Sequence, residues 1–188
     1  GFHGLTEWWA PQLRRWWEHP TATRFVGQVG RGGTKSYTAV LVALTETLFG
    51  PWVIPPGEVH FFALVSQNKG EAAQRLRLLE AMLRALGVTY FKNGDEIILP
   101  ELQRGFRVFA CTIGAVSGFR CFGFVADELA KWTNADKSAN PASEVIASLR
   151  AMTVTHPGAR EFLISSPLAT EDFHFERMQE GDTPYQVT

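Results

Sequence analysis

Arg24-Phe25-Val26-Gly27-Gln28-Val29-Gly30-Arg31-Gly32-Gly33-Thr34-Lys35-Ser36 is a β-like run (24–29) that feeds a glycine-rich segment (30–33) and opens a helical pattern over 35–49, stopped by Gly50-Pro51. Strand, glycine-rich loop and helix in that order are the physical recipe for holding a polyphosphate. Glycines let the backbone wrap closely with its N–H groups turned inward, and the helix N-terminus adds partial positive charge. A lysine at the helix start reaches the terminal phosphates, and the hydroxyl beside it ligates Mg²⁺. The candidate phosphate-binding residues are therefore Gly30, Arg31, Gly32, Gly33, Thr34, Lys35 and Ser36, with Ser36 also a candidate metal ligand. The strict pattern G-x-x-x-x-G-K-[ST], anchored on Lys35, would put its glycines where Val29 and Thr34 stand. The match is deviant, and a glycine-rich turn with an incidental Lys-Ser is the competing reading. Gln28 either reads an adenine or is a polar strand end.

Working outward, strands and helices alternate. Residues 59–66 (VHFFALVS) form a continuous apolar run, as a strand buried on both faces requires. Residues 70–86 predict a helix with Ala73, Leu76, Leu79, Met82 and Leu83 on one face, closed by Gly87. Strands over 88–91 and 96–99 flank an Asn93-Gly94 hairpin turn. Further strands are predicted over 106–111, 121–126 and 162–165, with a helix over 142–152. This alternation implies an α/β fold, a mostly parallel sheet covered by helices on both sides, with the hairpin as its antiparallel piece. Residues 5–18 carry Leu5, Trp8, Trp9, Leu13, Trp16 and Trp17 at near-helical spacing, ended by Pro20. These tryptophans either stack on a base or pack the helix against the sheet, and packing is favoured. Residues 133–140 are the best candidate for a mobile loop, and 181–188 read as the start of a connection.

The second constellation is Phe122-Gly123-Phe124-Val125-Ala126-Asp127-Glu128: two acids where a buried strand ends. In a parallel α/β sheet the carboxyl ends of the strands are where ligands bind. Asp127 is the candidate Mg²⁺ ligand, through water, and Glu128 the candidate general base that polarises the attacking water. Solvated acids capping the next helix are an equally simple reading of this doublet alone. The pair of sites decides more than either half. The cradle comes early, the acids end a later strand, and the buried strand 59–66 comes between them, the order in which an ATPase with an added central strand delivers its parts to one sheet edge.

Bulk properties fit. The 188 residues suit one domain with a full core, and 45% hydrophobic with 20% charged residues is ordinary for a folded protein. A net charge of −1 argues against a dedicated duplex-DNA binder, leaving weak or ring-wise contact. No run approaches the roughly 18 apolar residues that span a bilayer, and the first nine residues do not resemble a signal peptide, so a cytosolic setting without membrane contact is expected. Cys111 and Cys121 are read as reduced core residues, and His3, His19, His60, His156 and His174 show no ligand spacing. Glu171-Asp172 is expected in the first turn of a terminal helix after Thr170.

With these residues in view, the sequence resembles the ATPase half of phage large terminases. GRGGTKS (30–36) resembles their variant Walker A, with Arg31, Lys35 and Ser36 matching, and FGFVADE (122–128) resembles their Walker B and catalytic glutamate. LVSQNKGEAAQRLRLLEAML (64–83) resembles the strand and helix after their first crossover, FKNGDEIILP (91–100) their hairpin, and FLISSPLAT (162–170) their coupling motif at Ser165, Ser166 and Pro167. The likeness spans 25–167. It implies a P-loop (RecA/ASCE-like) ATPase using ATP and Mg²⁺, in which Ser165 and Ser166 sense the γ-phosphate. It also implies duplex DNA, portal protein and small terminase subunit as partners, a homo-oligomeric ring, and a place in the cytoplasm of an infected bacterial host. The implied organisation is one ATPase domain over 1–188: a Trp-rich helix (1–20), the P-loop core (24–167), then a helix and the start of a linker (168–188). Where the family often carries an Arg-Gly whose arginine acts on a neighbouring subunit's ATP, this chain reads Ser117-Gly118. Arg120 either substitutes as the catalytic arginine or is a surface residue, and Arg104, Arg107 and Arg150 are further candidates. Nothing after Pro167 resembles the family's nuclease domain. Another RecA-like motor, such as a helicase core, and a non-catalytic nucleotide-binding module are the alternatives.

Overall fold

The protein is described by a computed structural model covering residues 5–111, 118–132, 141–168 and 172–188. The expected loop over 133–140, Ser117, and Thr170 with Glu171 lie outside the described residues. An eight-stranded sheet runs in the order β3-β4-β5-β2-β6-β7-β1-β8. Its strands are β1 (Arg24–Gln28), β2 (His60–Ser66), β3 (Phe91–Asn93), β4 (Glu96–Leu99), β5 (Arg104–Ala110), β6 (Cys121–Asp127), β7 (Arg160–Ser165) and β8 (Gln186–Val187). All pairings are parallel except β3–β4 and β4–β5. The helices are α1 (Trp9–Trp17), α2 (Lys35–Phe49), α3 (Lys69–Ala85), α4 (Pro141–Met152) and α5 (Phe173–Gln179).

The continuous apolar strands follow from burial on both faces, because successive side chains point to opposite sides of a strand. Phe62 and Leu64 of β2 join the core beneath α1, α2 and α3, while Phe61, Ala63 and Val65 join the core beneath α4. The stripe that α3 buries is Ala72, Leu76, Leu79, Met82 and Leu83, so Ala72 takes the place expected for Ala73. Asn68 caps this helix by accepting from the Glu71 amide at 3.0 Å. The tryptophans of α1 pack rather than stack on a ligand. Trp9 and Trp16 are fully buried over Phe25 and Phe162, whose rings stack at 4.9 Å. Trp8 is exposed.

Several local expectations shift. Asn93 pairs with Glu96, so the hairpin turn is Gly94-Asp95, one residue later than expected, with Gly94 at φ 56° as the first central residue. Residues 181–188 return to the sheet, where Gln186 and Val187 pair with Arg24 and Phe25 and are buried. Cys121 is buried, but Cys111 ends up half-exposed just past β5, its thiol against the Gln67 carbonyl; both are free. Asp172 is the cap of α5, accepting from the Phe175 amide at 2.8 Å, rather than a first-turn residue.

At the amino edge of the sheet, His60 Nδ1 lies 2.6 Å from His156 Nε2, and His60 Nε2 lies 2.7 Å from Glu58 Oε2. A carboxylate only accepts, so His60 carries its proton on Nε2 and its Nδ1 accepts from His156. Burial, then His60, Arg104 and Arg120, hold His156 below the usual histidine range, and burial does the same to His174 despite its bond to the Gly27 carbonyl. The unfolded chain therefore takes up these protons first, as pH falls below about 6.5. Stability present above that pH is lost in acid. The expected result is a lower urea midpoint at about pH 5.5 than at about pH 7.5; equal midpoints would contradict the assignment.

Candidate nucleotide site

The two sequence constellations meet at the carboxyl edge of the sheet. β1 and β6 both pair with β7, which lies between them. The strand expected to come between them, β2, does so only along the chain; in the sheet it lies on the far side of β6. Three strand ends thus converge: Gln28 leading into the loop, Ser165 in the middle, and Asp127 beyond.

The loop is shaped by two left-handed residues, Gly32 at φ 81° and Thr34 at φ 54°. Gly33 has no room for a side chain, since a Cβ would come within 2.4 Å of Val29 Cγ1. Its carbonyl accepts from Trp9 Nε1 at 2.8 Å, tying α1 to the loop. In a trans peptide the N–H points opposite to the C=O, so this bond turns the Thr34 amide away from α1. Trp9→Phe keeps most of the ring packing and removes only this restraint. It is expected to weaken ADP affinity about threefold to tenfold by isothermal calorimetry, the value of one hydrogen bond, with the fold retained. An unchanged affinity would deny Trp9 this role.

Lys35, at the start of α2, is buried and its Nζ lies 3.0 Å from Glu128 Oε1. The adjacent Ser36 Oγ accepts from Arg75 Nη2 at 2.9 Å, and the same guanidinium grips Asp127 Oδ2 at 2.6 and 2.9 Å. Neighbouring strand residues ordinarily face opposite ways. Glu128 escapes that rule because it adopts φ 57°, ψ 41°, a left-handed kink uncommon outside glycine. Both acids therefore reach the loop, Asp127 towards Ser36 and Glu128 towards Lys35. Burial alone would push Glu128 up, but Lys35, the Ser166 amide and Lys131 hold it below the usual carboxylate range. It is thus ionised at neutral pH, as a proton acceptor must be.

The remaining predicted residues are placed as follows. Ser166 contributes its amide to Glu128 Oε2 at 3.3 Å, and its hydroxyl is buried with no partner among the described residues. Ser165 is buried, and its Oγ accepts from the Ala130 amide at 3.1 Å, bracing the turn Leu129–Lys131 after Glu128. Gly30 and Arg31 are exposed in the loop, and Gln28 is exposed at its base. Arg120 is not brought to the site. It stands just before β6, at the amino edge, pairing with Glu58 at 2.6 Å, whereas Asp127 ends that strand at the opposite edge. Arg104 is committed to the Thr47 and Trp52 carbonyls, Arg107 to Glu96 and Arg150 to Glu161.

Arg75, Lys131, Trp9 and His174 were not legible as site residues. Lys131 had a signal, its three-residue spacing from Glu128. Arg75 had none, since its partners lie 39 and 52 residues away.

The donor set suits a hard divalent cation. Ser36 Oγ and Asp127 Oδ2 are oxygen atoms of the kind such a cation takes, and they share one cationic partner, the Arg75 guanidinium. Asp127 Oδ1 is buried with no partner among the described residues, a place for a metal-bound water.

No protein-family model and no curated protein matches this sequence. Solved structures do share the fold. The large terminase of bacteriophage HK97 superposes with a TM-score of 0.79 at 12% identity, over 98% of this chain and 39% of that one. The Thermus phage P74-26 large terminase ATPase domain, as the mutant R139A, gives 0.62 at 14% over 97% and 72%. The N-terminal domain of the bacteriophage phi29 DNA packaging ATPase gives 0.58 at 13% over 92% and 86%. The resemblance to phage large terminase ATPase domains thus holds at the level of the fold, a mostly parallel α/β sheet with an antiparallel part. The chain spans about two fifths of the HK97 protein's length.

Proposed function

We propose that this chain is an ATP-hydrolysing motor domain that drives viral duplex DNA into a procapsid. The observation that carries the reading is the contact of Lys35 and Ser36, at one end of a glycine-rich loop, with the network of Asp127 and Glu128, across a strand ending in Ser165-Ser166. In this reading the loop amides and Lys35 hold the β- and γ-phosphates of ATP. Lys35 exchanges its contact with Glu128 for the phosphates, which frees the carboxylate to orient and deprotonate the attacking water. Ser36 and Asp127 hold Mg²⁺, which supplies neutralisation of the developing phosphate charge. Ser166, whose amide touches Glu128 and whose hydroxyl is unpaired, registers the γ-phosphate; Ser165 braces the turn behind it.

The packaging assignment is supported by the fold shared with phage packaging ATPases, one of them solved with ADP. Duplex DNA, a portal protein and a small terminase subunit are the proposed partners, within a homo-oligomeric ring in the host cytoplasm. Among the described residues no helix is long and apolar enough to cross a membrane. A ring also suits the arginine problem. At the amino edge Arg120 serves only a neighbouring subunit's site, so the isolated chain hydrolyses slowly, by about 10³-fold or more relative to the assembly. The test is phosphate release from Mg-ATP by the isolated chain, with and without duplex DNA. Slow, saturable release supports the reading. ATP binding with no release under any assembly condition identifies a non-catalytic nucleotide-binding module instead.

A further inference from the structure

Arg75 belongs to no element of the nucleotide chemistry above, yet it occupies the middle of the site. It sits on the second turn of α3, with its side chain 12% exposed, and its guanidinium is shared between Asp127 Oδ2 and Ser36 Oγ. Those are the oxygens assigned to the divalent cation. A guanidinium keeps its charge at every working pH and only donates, so it compensates Asp127 without metal, and it blocks metal while it stays.

The same helix offers a second resting place. Glu71 precedes Arg75 by four residues, the spacing and orientation at which an acid and a base on one helix face meet. Glu71 Oε2 is buried and has no hydrogen-bond partner among the described residues. The acceptor on β6 is in use, and the one on α3, a helical turn before the arginine, is unsatisfied. A buried, unsatisfied carboxylate oxygen is costly to keep, and an arriving guanidinium relieves it.

We propose that Arg75 is a two-position latch on the metal site. It rests on Asp127 and Ser36 when no divalent cation is bound, and moves to Glu71 when metal arrives with nucleotide. The inference rests on the reading of Ser36 and Asp127 as metal ligands. Its consequence is that the bare protein rejects divalent cations, and that metal and nucleotide bind as one unit.

Mn²⁺ counted by electron paramagnetic resonance, with and without ADP, tests it. Wild type is expected to bind Mn²⁺ well only with ADP. Arg75→Met keeps the stem and deletes the charge, and is expected to bind Mn²⁺ without ADP about tenfold more tightly than wild type. Mg²⁺ without nucleotide should also raise the melting temperature of that variant and leave wild type unmoved. Glu71→Gln acts in the opposite direction, raising the Mn²⁺ needed in the presence of ADP about twofold. A purely structural Arg75 would give a lower melting temperature that Mg²⁺ does not restore, with unchanged Mn²⁺ affinity, and that result overturns the latch. Tight Mn²⁺ binding by wild type without ADP overturns it too, and needs no variant to fold. Asp127→Asn separates the premise from the proposal. If that variant binds Mn²⁺ with ADP as tightly as wild type, the metal-site reading is wrong and the latch falls with it; if Mn²⁺ is lost there but unaffected by Arg75→Met, the latch alone fails.

Discussion

Glu128→Gln is expected to lower phosphate release about 10²- to 10⁴-fold, the contribution of a positioned general base, while nucleotide binding survives. Glutamine keeps the size and the acceptor oxygen of the side chain, so the left-handed kink at φ 57° and the Ser166 amide contact are undisturbed. What disappears is the negative charge that deprotonates water. The same substitution removes the acidic partner of Lys35 and Lys131. Lys35 is then less tightly held away from phosphate, so ADP affinity is expected to be equal to or higher than wild type. Single-turnover phosphate release read beside fluorescent-ADP binding checks both halves. Undiminished release in the variant would remove Glu128 from the chemistry; lost binding would make it a structural residue of the loop.

Asp127→Asn is expected to act on stability as well as activity. The Asp127 side chain is 2% exposed and that of Arg75 12% exposed, and their contact is 2.6 Å. Removing one partner of a buried ion pair costs up to about 3–5 kcal/mol where the other charge is left uncompensated, and less where Arg75 can turn to Glu71. For a domain of this size that corresponds to a melting temperature lower by on the order of 10 °C. Asparagine conserves volume, so cavity formation is not the cause. Hydrolysis should fall with it, because the carboxylate proposed to hold Mg²⁺ is gone. A melting temperature within a degree or two of wild type would show that the buried pair contributes little and that Arg75 is held by something else.

Much of this arrangement was readable before folding. The strand, loop and helix over 24–49 are dictated by short-range chemistry: apolar β-branched and aromatic residues, then glycines, then a run that ends at Gly50-Pro51. The doublet at 127–128 ends a strand because six apolar or small residues, Cys121 to Ala126, precede it. The misplacements are also physical. The hairpin turn settled on Gly94-Asp95 because pairing of Phe91 with Ile98 and Lys92 with Ile97 sets the register. That the Ser165 hydroxyl accepts from the Ala130 amide, beneath the turn after Glu128, is announced by no local pattern. Arg120 was considered for its nearness in sequence to Ser117-Gly118, and because a strand carries its two ends to opposite edges of a sheet it stands at the edge away from Asp127.

By itself the sequence determined most of the strands and helices, most of the faces they bury, and which two short stretches are candidates for phosphate and acid chemistry. These depend on residue types a few positions apart. Only the tertiary structure decided that β7 stands between β1 and β6, that a left-handed Glu128 turns both acids to one side, that Trp9 bonds the loop, and that Arg75 joins Asp127 to Ser36. Each of these joins residues distant in the chain, and such contacts are chosen by packing and charge compensation after the elements meet.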